Sequence, residues 1–158
     1  MANDGGLIAR IEQYFADELA ALQHEGKDVF KTADVWKHQV AATEGGIESF
    51  SGLEPFAFAS YQDCEAAREG DYDLRQVFEF AVLIGCESKH AGVARFGDDN
   101  HLGTSKLRDL VIAHFDRMHP GGDLTCDDIY YTGDIEIFDS PKRHAIQLTF
   151  EISQLTVN

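Results

Sequence analysis

Seven histidines, three cysteines and several adjacent acids are the side chains with chemistry to offer. His90 and His101 bracket Asp98 and Asp99, a set that could present nitrogen and oxygen to a metal ion. Asp98-Asp99-Asn100 could hold a hard cation, but it lacks the ligand spacing and closing Glu of an EF-hand loop. His114 and His119 stand five apart, which turns them to different faces of a helix. Neither pair has the spacing of HExxH or of a structural zinc site. There is no GxSxG, and none of Cys64, Cys86 and Cys126 has an identifiable histidine partner for nucleophilic work. Gly45-Gly46 and Gly121-Gly122 lack the following Lys-Ser/Thr of a phosphate loop. The chain reads as one without catalytic residues, metal or cofactor, a protein whose surface is its function.

The candidate surface residues are therefore aromatic and charged. Tyr130-Tyr131 puts one ring in and one out. The outer ring, Tyr130, together with Phe138, could mark a partner surface, because aromatics are favoured at interfaces. The paired acids Asp98 and Asp99 could share an ion with a neighbouring copy. The bases Lys106, Arg108, Lys142 and Arg143 could meet a neighbour's acids. A small cytoplasmic enzyme or ligand-binding α+β domain, with a pocket between the second helix and the sheet, is the alternative reading.

Composition narrows the partners. Lys plus Arg is 13 and Asp plus Glu is 28, for a formal charge of −15 over 158 residues. The acid is local: eight carboxylates and one base, Arg68, lie between Glu44 and Asp73. Such a surface repels phosphates, so nucleic-acid groove binding is not expected. A 44% hydrophobic content and 11 Phe argue for a folded core rather than disorder. The length suits a single domain, 1–158, with 1–6 as a loose tail. Three cysteines far apart read as reduced thiols of a cytoplasmic protein, with Cys86 in the core. Neither a secretory signal nor a membrane span is expected.

Periodicity supplies the elements that must carry these residues. Leu7, Ile8, Ile11, Phe15, Leu19 and Leu22 fall at helical spacing, so a first amphipathic helix is predicted, ending near Gly26. Val29-Phe30 reads as a short strand, followed by a helical turn at Trp36–Val40. Residues 41–54 and 88–103 read as long loops open to partners, and 63–73 as an acidic loop. Strands are predicted at 55–62 and 76–87. A second helix, capped by Thr104 or Ser105, buries Leu107, Leu110, Val111 and Phe115 and runs to Met118. Ile146, Leu148, Phe150 and Ile152 alternate with polar residues, as do Ile129, Tyr131, Ile135 and Ile137. With Asp-Ser-Pro between them, these two runs form an antiparallel hairpin. The fold class is α+β, a mainly antiparallel sheet packed with two amphipathic helices, in the order α-β-β-β-α-β-β.

This order resembles the Mu-like prophage tail protein family, similar in design to the tail terminators of long-tailed phages. The likeness rests on the helix from Leu7 to Leu22 and a Phe-rich strand with Phe56 and Phe58. It continues through the long strand around Phe78 and Phe80, the helix with Leu107 and Leu110, and the hairpin ending in Leu148 and Phe150. It covers most of the chain. It implies a tail-terminator-like fold and a homo-oligomeric ring, commonly a hexamer, on the head-proximal end of the tail tube. Tube and neck or head-joining proteins would be the partners, and the virion tail the location, after assembly in the host cytoplasm. No catalytic residue carries over.

Overall fold

The computed structural model describes residues 5–43, 46–50, 52–70, 73–88, 90, 92–122 and 124–156. Helix α1 spans Gly6–Ala21, and its Ile11, Phe15, Ala16 and Leu19 form one buried stripe. A tight hairpin follows, with β1 (Gln23–His24) antiparallel to β2 (Lys27–Asp28). Strand β3 is Thr32–Val35. Val40–Thr43 (β4) and Gly46–Phe50 (β5) pair as a separate two-stranded sheet. Phe56–Glu69 (β6) and Asp73–Glu87 (β7) form one long hairpin. A single turn, α2 (Val93–Phe96), precedes α3 (Thr104–Phe115). Ile129–Asp139 (β8) and Arg143–Thr156 (β9) close the fold as an antiparallel pair.

The main sheet runs β3-β6-β7-β9-β8, antiparallel except for β3 beside β6. The α+β architecture expected from periodicity is therefore present, with a mostly antiparallel five-stranded sheet. The period of two sends Phe78, Phe80, Val82 and Ile84 to one face, where Leu148, Phe150 and Ile152 join them. Phe15 of α1 and Phe115 of α3 meet there with ring centroids 4.8 Å apart. Phe15 lies 5.7 Å from both Phe80 and Phe150. Leu110 is only half-buried; the other predicted core residues belong to this cluster. On the opposite face Phe56 and Phe58 build a smaller core with Val40 and Ala145, flanked by Trp36, Leu83, Ile137 and Phe138.

Several expectations are overturned. The acidic segment 63–73 is not a loop. Strand β6 continues to Glu69 and pairs with β7 down to Asp73; residues 71 and 72 lie outside the described ones. Backbone bonds to β7 hold this stretch, so it needs no apolar period to be a strand. Residues 41–54 contain β4 and β5, although 44, 45 and 51 lie outside the described residues. The early strand is Thr32–Val35, while Val29 and Phe30 are buried outside any strand, with Val29 N donating to Leu22 O at 3.0 Å. Trp36 N donates to Ala59 O at 2.8 Å, continuing the pairing where a helical turn was expected. The 88–103 segment contains α2. Residues 1–4 lie outside the described residues, and α1 already begins at Gly6.

Helix α3 is capped by neither Thr104 nor Ser105. Its N-cap is Gly103 and no side chain caps it. A Cβ at Gly103 would fall 2.4 Å from Gly97 N and 2.5 Å from Arg95 O, so only glycine lets the two loop strands touch here. The helix ends at Phe115, short of Met118. The chain turns through Arg117 at φ 65, and Arg117 N donates to Ile129 O at 2.6 Å.

Ile135 also departs from its expected side. The register skips from Tyr131 to Gly133 opposite β9, so Thr132 is an extra residue. Gly133 takes φ 142, which side chains rarely adopt. The inserted residue reverses the parity of the residues after it, until a second register shift between Glu136 and Phe138 restores it. Ile135 therefore pairs opposite Gln147 and is 58% exposed, while Asp134 and Glu136 move to the helix-facing side.

Candidate functional site

Strand β8 is the edge of the sheet that bears Tyr130 and Ile135, both largely exposed. Its first residues are already covered. Ile129 N donates to Met118 O at 2.8 Å, and Tyr131 N to Asp116 Oδ1 at 2.9 Å. At the other edge, β3 is closed by its own side chains. Val35 N donates to Asp34 Oδ1 at 2.7 Å, and Gln39 Nε2 to Val35 O at 2.8 Å. Edge strands left open invite pairing with another chain. Among the described residues two long stretches of the main sheet have no further strand hydrogen-bonded beside them: β6 beyond Tyr61, where β3 has ended, and β8 after Thr132.

The other expected contact residues are divided by the fold. Tyr130 is on the surface as expected, whereas Phe138 is half-buried against the smaller core and offers little to a partner. Lys106, Lys142 and Asp99 are exposed. Asp98 is engaged in its own loop: its Oδ1 accepts from Asn100 N at 2.8 Å and His101 N at 2.9 Å. Those bonds, the one from Asn100 first, hold its carboxyl below the ordinary value. Leu107, Val111 and Phe115 of α3 pack into the main core, so among the described residues side chains fill the space between this helix and the sheet where the alternative reading placed a pocket.

Arg108 works inside the chain. Its Nε donates to Asp134 Oδ2 at 2.6 Å, and its terminal nitrogen to Tyr131 Oη at 3.1 Å. Tyr131 Oη also donates to Asp134. Burial works to raise the Asp134 carboxyl, but hydrogen bonds from Tyr131 and Arg108 hold it below its usual range. Bonding to Asp134 pushes Arg108 further up. The cluster ties α3 to β8, which takes Arg108 out of the set of bases free for a neighbour.

Two further clusters escape any sequence motif. Thr104 Oγ1 bonds His144 Nδ1, and His144 Nε2 lies 3.0 Å from Glu136 Oε2. Hydroxyl, imidazole and carboxylate stand in the order of a hydrolytic relay. Thr104 is 0% exposed, however, so no substrate reaches its oxygen. The relay instead pins the start of α3 to β9 and β8.

The second cluster lies at the ends of β7 and β9. Arg143 is mostly buried between Glu87 at 2.7 Å and Glu54 at 3.4 Å. Burial, with a hydrogen bond to Glu87, pushes Glu54 up to about 7 despite the pull of Arg143. The bond to Glu54, then Arg143 and Lys142, hold Glu87 below its ordinary value against its own burial. Burial pushes the neighbouring Cys86 thiol up to about 11. Above them opens a cleft of about 370 Å³ between the β1–β2 hairpin and residues 98–102.

The Glu54 shift sets a pH dependence. Unfolded, Glu54 releases its proton near 4.5; folded, near 7. The folded state therefore holds the extra proton across that window. This contribution to stability is complete below 4.5 and is lost as pH rises through 7. Glu87 acts oppositely, its contribution falling away at acid pH. We expect the melting temperature to drop between about pH 5 and pH 8, with about 2 kcal/mol traceable to Glu54. Glu54→Gln should flatten that slope, as read by thermal melts of both proteins across the series. An unchanged slope would remove Glu54 from this role.

No helix among the described residues is long and apolar enough to cross a membrane. No protein-family model matches this chain, and neither does any curated protein.

Proposed function

We propose that this chain is a structural phage or prophage tail-completion protein. It acts as a homo-oligomeric ring, a hexamer by resemblance, that ends the tail tube and offers a surface to neck or head-joining proteins. The phage context comes from the resemblance in element order and hydrophobic pattern. The observation that carries an assembly role is the exposure of Tyr130 and Ile135 on β8, an edge strand of the main sheet. Large apolar side chains held out on a rigid strand are typical anchors of an interface. In this reading no residue is catalytic and no cofactor is used.

The test is sedimentation velocity of the isolated protein, with negative-stain imaging of any large species. Six copies gather about 90 formal negative charges, so assembly is expected to strengthen with added salt. Arg108 and Arg143 are engaged within the chain, which removes two of the four bases that could have reversed this sign. Ile135→Asp should leave the melting curve unchanged, because the residue is exposed, and weaken association by about tenfold or more. A strict monomer at every salt and concentration, in a protein that also fails to arrest tube growth, overturns the reading.

A further inference from the structure

Strand β8 is longer than the ladder it fills. Between the pairs Tyr131–Phe150 and Phe138–Ala145 it has six residues, Thr132 to Ile137, where β9 has four, Ile146 to Thr149. Those end pairs fix the number of spare residues but not their place. Thr132 is spare at one end and Ile137 at the other, so Gly133–Glu136 pairs with Thr149–Ile146. This register turns Ile135 out to solvent, against the alternation of Ile129, Tyr131, Ile135 and Ile137 along the strand. What holds it is polar. Asp134 accepts from Arg108 Nε at 2.6 Å and from Tyr131 Oη. Glu136 lies 3.0 Å from Nε2 of His144, a buried residue.

A second register satisfies the same end pairs. With both spare residues gathered at Glu136 and Ile137, Thr132 pairs with Thr149 and Ile135 with Ile146. A shift of one residue exchanges the two faces. Ile135 then joins Ile146 and Leu148 on the core side, and Asp134 turns to water. The Thr132 hydroxyl already donates to Thr149 O at 3.2 Å, the residue it would face. The exchange sets the burial of one isoleucine against two side-chain contacts. Arg108, Asp134 and Glu136 are all partly open to solvent, which weakens those contacts and brings the two registers close in free energy. We propose that the Gly133–Glu136 stretch of β8 is a two-position register switch. Arg108–Asp134 and His144–Glu136 hold it with Ile135 outward, and release of those contacts withdraws Ile135 into the core. Packed elements with two discrete arrangements are the usual substrate of such switching. Tyr130 precedes the spare residue and keeps its place in both registers. The switch belongs to the single chain and does not rest on the ring; only its control of association through Ile135 does.

The experiment is amide and methyl NMR of the full chain. The parent is compared with the double variant Asp134→Thr/Glu136→Thr, which removes both carboxylates and keeps β-forming side chains. It is also compared with Arg108→Gln, which leaves β8 unaltered. The parent should show cross-strand NOEs from Ile135 to Gln147, with Ile135 methyls relaxed by a soluble paramagnetic agent. The double variant should show NOEs from Ile135 to Ile146 and from Thr132 to Thr149, and lose most of that relaxation. Arg108→Gln removes one contact, so its Ile135 methyl signals should move part of the way towards the double variant. Lys106→Gln, at an exposed base of the same helix, should keep the parent spectrum. A double variant that retains the Ile135–Gln147 NOEs, or loses every cross-strand NOE from 132 to 137, overturns the proposal. If that variant folds poorly, Arg108→Gln decides, and unchanged Ile135 signals in it overturn the proposal equally. Sedimentation of the double variant reads the consequence. Weaker association supports control through Ile135; unchanged association with a shifted register leaves the switch standing and removes Ile135 as the anchor.

Discussion

Phe80→Ala is expected to destabilise the folded chain by about 3–5 kcal/mol. Phe80 is 0% exposed and sits on β7 opposite Tyr61 of β6 and Phe150 of β9. Its ring is 5.7 Å from that of Phe15, 5.8 Å from Tyr61 and 6.4 Å from Phe78. These neighbours come from one helix and two strands held in register, so none can move into the vacated space without breaking a ladder. The cavity term is therefore close to its full value. Urea unfolding of the variant, with the slope compared to the parent, measures the loss. An unchanged midpoint would falsify the central place given to this ring.

Gly85→Ala is the second large effect, a loss of about 2–3 kcal/mol by overpacking. Phe56 lies directly opposite Gly85 across the β6–β7 ladder, and its ring rests on the glycine. A Cβ there would stand 2.1 Å from Phe56 Cζ and 2.3 Å from Cε1. Phe56 is fully buried and stacks on Phe58 at 5.2 Å, so the ring has nowhere to swing. Combining Gly85→Ala with Phe56→Leu should restore part of the loss, because the shorter side chain clears the new methyl. Additive losses in that double-mutant cycle would show that the two positions are not coupled.

Both sites show how much was legible beforehand. Phe80 belongs to an alternating run, and alternation reports directly which side of a strand meets oil. The α1 stripe of Ile11, Phe15 and Leu19 and the β9 run of Ile146 to Ile152 are legible for the same reason. Gly85, by contrast, reads as one more residue of a strand. Its role exists only because Phe56, 29 positions earlier, is brought opposite it.

The sequence by itself determined the α+β class, the two main helices, the long central strands, the closing hairpin and most of the core. Those features follow from the local partition of apolar and polar side chains along each element. Tertiary structure decided the rest. The 63–69 stretch became strand because β7 supplied its backbone partners, although its side chains carry no apolar period. Ile135 reached the surface because one extra residue at Thr132 reversed the parity of β8. Arg108 and Arg143 turned to carboxylates of their own chain, where the surface reading offered them to a neighbour's acids. The Thr104–His144 contact joins residues 40 apart, and the cleft gathers Glu54, Glu87 and Asp98 from three separate segments. Contacts of that kind depend on register and crossover, and periodicity in one segment says nothing about which distant segment will lie beside it.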